Sequence, residues 1–306
     1  VESNRREIRQ IIKNNKVLYR VFFPVVKVLR IVFGIYIRTG CFYIGYCLRR
    51  LHLIKKDKVL NKLKGIYKGQ RVFIIATGPS LRLSDLEWLH NHKEITISCN
   101  GIFKIFNDTN WRPDYYVMDD YFLYDSYKRK EICIPFENIA KKKVLLSMPI
   151  KKRINYDYDK EKIGFFPICY FDHWFTHKSK CFKYNQNIVY GHFDLYTVTN
   201  TAINIAHYMG AKEIILLGVD CDYLQKKAHI GEEGSRENKI NEKITIEMER
   251  AQKRGYHFIA NVFENQDTKI INATRGGSLE MFHRESMDNY IFKESGGCSH
   301  ELKRND

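Results

Sequence analysis

Several short polar clusters in this chain each follow an apolar run, and their side chains are of the kinds that hold phosphate or move a proton. Val72-Phe73-Ile74-Ile75 leads into Thr77-Gly78-Pro79-Ser80, and Ser84 and Asp85 then precede the apolar face Leu86, Trp88 and Leu89. That reads as a buried strand, a tight turn and a helix. Unpaired backbone N–H groups and the positive end of a helix dipole make such a turn an anion site. The same residues also suit an ordinary strand–turn–helix. The three spaced glycines of the dinucleotide fingerprint are missing, and so is the Gly-Lys-Ser/Thr of a Walker loop.

Three more clusters have the same setting. Ser98-Cys99-Asn100-Gly101, Asp119-Asp120-Tyr121 and Gly218-Val219-Asp220-Cys221-Asp222-Tyr223 close apolar runs. Each has a plain local explanation: Asn-Gly makes a turn, Asp-Asp caps a helix, and Gly-Val-Asp ends a strand. Thr199, Asn200 and Thr201 open a helical pattern that stops at Gly210, where hydroxyl and amide groups suit either a cap or a phosphate or nucleobase. His229 lies in a charged, Gly-bearing stretch, 224–243, that reads as a lid. A histidine with an unperturbed pKa of about 6.5 is suited to take a proton from a hydroxyl.

The elements that must position these groups alternate. Strands are expected at 71–76, 94–98, 114–118, 143–148, 213–218 and 256–262, and helices near 84–91, 101–107, 200–210 and 240–254. This alternation implies a parallel sheet with helices on both faces. Ligands of such sheets bind at the carboxyl ends of the strands, so the four clusters should line one crevice.

The net charge of +16 over 306 residues calls for an anionic partner. No acidic residue occurs from Ile8 to Lys56, a window with eleven Lys and Arg among many aliphatic and aromatic residues. Its longest uncharged runs, Ile31–Ile37 and Thr39–Leu48, are too short to span a bilayer. On a helical wheel Arg20, Lys27, Arg30 and Arg38 share one side. Residues 8–56 therefore suit a helix in the interface of an anionic membrane; a helical hairpin packed on the main domain is the alternative. Nucleic acid is a poor partner for so much aliphatic bulk. The eight cysteines form no C-x-x-C pair, which favours a reducing cytoplasm over a disulfide or zinc framework. The first residue is Val rather than Met, so a start upstream is expected. The abundance of Lys, Asn, Ile, Tyr and Phe is a composition of AT-rich bacterial genomes.

Thr77-Gly78-Pro79-Ser80, Cys99-Asn100 and Gly210-Ala211-Lys212-Glu213-Ile214 with Gly218-Val219-Asp220 together resemble the bacterial CMP-sialic acid-dependent sialyltransferases. With His229 and Asn272-Ala273-Thr274-Arg275-Gly276-Gly277, the order also resembles the wider group of motility accessory factors and 6-hydroxymethylpterin pyrophosphokinase-like domains. The resemblance covers about residues 70–280. It implies a single α/β Rossmann-like domain, a variant of the GT-A type with a mostly parallel sheet, which follows the basic amphipathic helical N-terminus read from the charge pattern.

With the charge pattern of the N-terminus, this divides the chain into a membrane-associating segment, 1–65, the catalytic domain, 66–282, with its lid 224–243, and a helix and polar tail, 283–306. The resemblance implies a glycosyltransferase that works without a cofactor or metal. It would displace CMP from an activated sialic acid, or another nonulosonic or ulosonic acid, onto a surface glycan or lipid-linked acceptor. His229 becomes the base, Tyr223 the donor to the leaving phosphate, and Asp220 the third member of the catalytic set. Thr77, Gly78, Pro79, Ser80, Asn100, Asp120, Thr199, Asn200 and Thr201 become the nucleotide and donor contacts. The protein would then sit on the inner face of a bacterial cytoplasmic membrane, and a homo-oligomer is compatible with the sequence. Two other classes fit the residues. One is a pyrophosphokinase acting on a pterin-like alcohol with ATP and Mg²⁺ held by Asp119, Asp120, Asp220 and Asp222. The other is a non-catalytic membrane adaptor on a transferase fold.

Overall fold

The computed structural model describes residues 33–34, 36–170, 182–222, 230 and 242–295. Helix α1 covers residues 36–50 and is followed by the short α2, Lys58–Asn61, capped by the Asp57 carboxylate. Then come β1 (Arg71–Ile75), α3 (Leu83–Asn91), β2 (Thr96–Cys99), a 3-10 turn (Asn100–Ile105), β3 (Tyr115–Met118) and α4 (Tyr121–Arg129). The chain continues through β4 (Lys143–Ser147), α5 (Met148–Lys151), β5 (Ile163–Phe166), β6 (Ile168–Cys169) and β7 (His192–Phe193). The elements α6 (Val198–Tyr208), β8 (Glu213–Leu217), α7 (Glu242–Phe263), β9 (Lys269–Asn272), β10 (His283–Arg284) and α8 (Met287–Ser295) complete it.

Eight strands form one sheet in the order β10-β9-β8-β1-β2-β3-β4-β5, and every neighbouring pair is parallel. β6 and β7 pair separately, also in parallel. This is a Rossmann-like α/β fold. The strands are apolar on both faces, as burial on both faces requires. Val72 and Ile74 of β1 face the layer containing α6 and α7, with Ala202, Ile205, Tyr256 and Ile259. Phe73 and Ile75 face the opposite layer, with Leu86, Leu89, Ile102 and Trp111. Val59, Leu60, Leu63 and Tyr67 complete the first of these layers.

From β1 the chain builds outward through β2 to β5 and then returns to lay β8 on the other side of β1. Such a reversal leaves a crevice between the loops that follow the two central strands. Those loops are Thr77–Ser80 and Gly218–Asp222.

One expected strand is a correction. Residues 256–262 are the last turns of α7, not a strand. Tyr256, Ile259 and Phe263 are buried at spacings of three and four, and that helical period dominates over the local apolar run. β5, β9, β10 and the β6–β7 pair were not expected. Among the described residues no helix is long and apolar enough to cross a membrane.

Candidate functional site

The site is built first by the locking of β1 to β8. Past the end of the ladder, Ala76 N–H donates to Leu217 O (2.9 Å) and Gly78 N–H to Gly218 O (2.8 Å). The turn therefore stays in register with the neighbouring loop. Ser80 is brought onto Asp220, where its hydroxyl donates to Oδ2 at 2.9 Å and its backbone N–H at 3.4 Å. Gly78 makes the approach possible: a Cβ there would stand 1.8 Å from Asp220 Oδ2 and 2.4 Å from Gly218 O. Burial raises the Asp220 carboxyl above the usual carboxylate range, and the Ser80 donors oppose that shift without cancelling it.

The Asn272–Gly277 segment braces this wall from behind. Val219 N–H donates to Thr274 Oγ1 (3.1 Å), Thr274 N–H to Asn272 Oδ1 (3.1 Å), and Asn272 Nδ2 to Leu279 O (2.7 Å). Ser278 N–H closes on Asp220 O at 2.7 Å. Arg275 clamps Asp85 at 3.0 Å and Asp288 at 2.7 Å, which holds the Asp288 carboxyl down at about 2. The segment fixes where Asp220 stands and does not line the cleft.

The third and fourth contributions come from β2, β3 and α6. Asn100 adopts a left-handed backbone (φ +48°), and its carbonyl accepts the Tyr116 hydroxyl at 2.7 Å. Its Oδ1 is buried with no hydrogen-bond partner among the described residues. Asp120 is the cap of α4, with Oδ1 accepting from Phe122 N–H (2.7 Å) and Leu123 N–H (3.2 Å). Asp119 is buried and accepts the Thr201 hydroxyl through Oδ2. Thr201 Oγ1 also lies 2.9 Å from His192 Nε2. The single hydroxyl proton goes to the carboxylate, which can only accept. His192 therefore donates from Nε2 and carries a bare Nδ1, which has no partner among the described residues. Burial lowers the His192 pKa to about 4, which keeps the ring neutral. Asn200 is fully buried and donates from Nδ2 to Leu195 O at 3.1 Å. Thr197 caps α6 by accepting from Thr199 N–H.

These groups surround a cavity of about 1250 Å³. Thr77, Gly78, Asn100, Asp119, Asp120, Thr199 and Asp220 line it. Pro79, Ser80, Asn200 and Thr201 stand behind the lining and support it. Tyr223, His229 and most of the lid 224–243 lie outside the described residues. Ile230 is described, and its N–H donates to Thr77 O at 2.7 Å.

Sequence reasoning missed several wall residues: Asp194, Tyr196, Arg153, and Ile37, Phe42 and Arg49 of α1. Asp194 and Tyr196 follow a strand of only two residues, too short to signal itself. Tyr196 and Cys221 share the left-handed backbone of Asn100 (φ +69° and +53°), so three non-glycine residues in this strained region border one cavity. The volume exceeds that of most single-ligand sites, about 300–1,000 Å³. It has room for more than one small ligand.

None of the curated proteins matches the chain. Among solved structures it is similar to the MAf glycosyltransferase from Magnetospirillum magneticum AMB-1, at 17% identity over 76% of this chain, with a TM-score of 0.42. The chain spans 38% of that protein's length. The family model described as 6-hydroxymethylpterin diphosphokinase MptE-like matches residues 47–226. That match takes in well over half of the chain and all four strand ends that border the cavity. The chain therefore belongs to the 6-hydroxymethylpterin diphosphokinase MptE-like family.

Proposed function

We propose that the cleft binds a nucleotide-activated sugar and transfers the sugar to a hydroxyl of a glycan or lipid-linked acceptor. The observation that carries this reading is the convergence, at the topological switch point, of the Gly78 turn, the orphan Asn100 Oδ1 and the N-terminus of α6. The positive end of the α6 dipole suits phosphate, and Gly78 keeps the facing turn free of a side chain. A buried amide oxygen without a donor among the described residues suits a sugar hydroxyl or a base amino group, because leaving it unpaired costs about 1–3 kcal/mol.

The acceptor oxygen attacks the activated carbon of the sugar, forming the new C–O bond as the C–O bond to the nucleotide phosphate breaks. The acceptor's proton passes to His229. The electron pair leaves on the phosphate, where Tyr223 donates a hydrogen bond. Both roles come from the resemblance to the CMP-dependent sialyltransferases, and CMP is the nucleotide we assign.

The family description favours a second reading, diphosphoryl transfer from ATP to a pterin-like alcohol. That chemistry draws on Mg²⁺ and several free oxygen ligands. Here Asp120 is engaged by two backbone N–H groups, Asp220 by Ser80 and Asp119 by Thr201. Among the described residues no three His, Cys, Asp or Glu groups converge as a metal cage would require. The carboxylates fit structural roles better than that ion.

A thermal-shift series with CMP, UDP, GDP and ATP, each with and without Mg²⁺, separates the readings. A ligand at 100 times its Kd stabilises the native state by about 2.7 kcal/mol. CMP should raise the melting temperature most, with no need for Mg²⁺; a shift confined to ATP with Mg²⁺ would transfer the assignment to the diphosphokinase. His229→Ala should lower turnover by about 10²–10⁴-fold, with the CMP shift unchanged.

A further inference from the structure

Helix α1 has two faces of opposite character. The inward face is fixed: Phe42 meets Phe193 edge-on at 5.3 Å, Tyr46 meets Tyr190 at 6.2 Å, and Arg49 Nε donates to Tyr190 O at 2.8 Å. Gly191 leaves no slack, since a Cβ there would stand 2.6 Å from Phe42 Cζ. With the rotation of the helix set by these contacts, the residues on its other side are set as well.

That outer side is apolar and open to solvent. Ile37 is 52% exposed, Ile44 62% and Leu51 66%. They recur every seven residues, two helical turns apart, so they form one stripe. Phe33 precedes the stripe, and Leu53 and Ile54 extend it; all three are exposed. Large apolar side chains massed on one face signal a partner. The charges beside them are all of one sign: Arg38, Arg50 and Lys55 are exposed, and no acidic residue lies between Ile8 and Lys56. An apolar stripe edged only by cations matches the depth profile of an anionic bilayer, with acyl chains below and phosphate headgroups above.

We propose that the outer face of residues 33–55 seats the protein on an anionic lipid surface, lying in the interface without crossing it. Ile37, Arg38, Phe42 and Arg49 of the same helix border the cavity. Seating the helix on lipid therefore sets the cleft beside the headgroups, where a lipid-linked substrate would be presented. Ile44, Leu51, Leu53 and Ile54 lie outside the cavity, and the inference does not depend on the transferase reading.

The test uses the full chain and sedimentation with vesicles of phosphatidylglycerol and phosphatidylethanolamine, against vesicles of phosphatidylcholine alone. The wild-type protein should pellet with the anionic vesicles and much less with the neutral ones, and raised salt should release part of it. Ile44→Glu with Leu51→Glu should weaken partitioning at least about tenfold. Its melting temperature and its nucleotide shift should match the wild type, because neither side chain is packed or borders the cavity. Leu53→Glu with Ile54→Glu, beyond the end of the helix, gives a second reading should the first pair disturb folding. Arg50→Gln with Lys55→Gln should reduce the preference for anionic vesicles and leave weak neutral binding in place. The proposal is overturned if both Glu pairs pellet like the wild type, or if the wild-type chain ignores anionic vesicles. It is equally overturned if the Glu pairs turn a dimer into a monomer in light scattering without altering vesicle binding; the stripe would then join two copies of the chain.

Discussion

On one side of the cleft the ends of β1 and β8 are tied backbone to backbone and braced by Asn272 and Thr274. On the other side α1 rests on Tyr190, Gly191 and Phe193 through ring contacts, with side-chain hydrogen bonds from Arg49 to Tyr190 and from Lys183 to Tyr43, and turns its large apolar residues outward. The first wall belongs to the sheet and cannot move without it. The second is a helix laid on the surface, whose loss exposes little of the core. Changes in the strand-end wall should therefore act on the whole domain, and changes in the helix wall should stay local.

Gly78→Val should have the largest effect. Asp220 can swing aside, but Gly218 O is backbone and stands 2.4 Å from where the new Cβ would be. The turn must leave β8, giving up the Gly78–Gly218 hydrogen bond and the Ser80–Asp220 contact together. A cost of about 3 kcal/mol is expected, with the CMP-induced melting shift lost. Denaturant unfolding and the nucleotide series check both; a variant that folds and binds like the wild type would show that the two strand ends are not coupled.

His192→Gln probes, through pH, the buried link between β7, α6 and the end of β3. The native ring titrates at about 4, against about 6.5 for a free histidine. Between these values the unfolded chain binds a proton that the native protein refuses. This contribution is fully present above pH 6.5 and is lost as pH falls toward 4, by an amount on the order of 2–3 kcal/mol. Glutamine keeps a donor for Thr201 and cannot titrate. Melting curves at several pH values should fall more steeply for the wild type than for the variant in that window.

The parts of this wall that were legible in the sequence are those where an apolar run meets a polar turn. Val72–Ile75 before Thr77 and Ile214–Leu217 before Gly218 each state a buried strand and its end, and topology then forces the two ends together. Residues 256–262 carried the same kind of apolar run and are helix, because a short run alone does not distinguish the two periods. β9 is four residues long and begins with an exposed lysine, leaving little pattern to read. Asp120 lines the cavity and caps a helix at once; the sequence supports both uses, and the Phe122 and Leu123 N–H groups account for the cap. The His192–Thr201–Asp119 chain was invisible for another reason. Its members come from three separate elements, and no local pattern ties a buried histidine to a threonine and a carboxylate that only the fold brings near.

Asp220→Asn sharpens the comparison with a smaller effect of opposite sign. Burial disfavours the ionised carboxylate, so the native state holds its proton to a higher pH than the unfolded chain does. Ionisation at neutral pH is therefore a net cost to stability. Asparagine keeps an oxygen for both Ser80 donors and removes the charge. The variant should melt about 2 °C higher than the wild type at pH 7, and the difference should shrink as pH falls and the wild-type carboxyl takes up its proton. A variant that melts lower would mean that Asp220 is held by more than Ser80.

Phe42→Ala should disturb the molecule least, although it removes a large aromatic side chain that is only 9% exposed. Truncating a buried phenylalanine in a central core costs about 3–5 kcal/mol because the cavity stays behind. Here the helix can lift instead of leaving a cavity. Phe42 touches Phe193 and lies near Cys169 in a small cluster separate from the two main layers. Its loss is then paid by local opening, with the eight-stranded sheet unaffected. The main melting transition should move by no more than about 2 °C. Amide exchange over residues 36–50 should speed up by at least about tenfold, while β1 and β8 keep wild-type protection. A fall of the main transition by about 8 °C or more would place α1 inside the cooperative unit, and the two walls of the cleft would then be one structure.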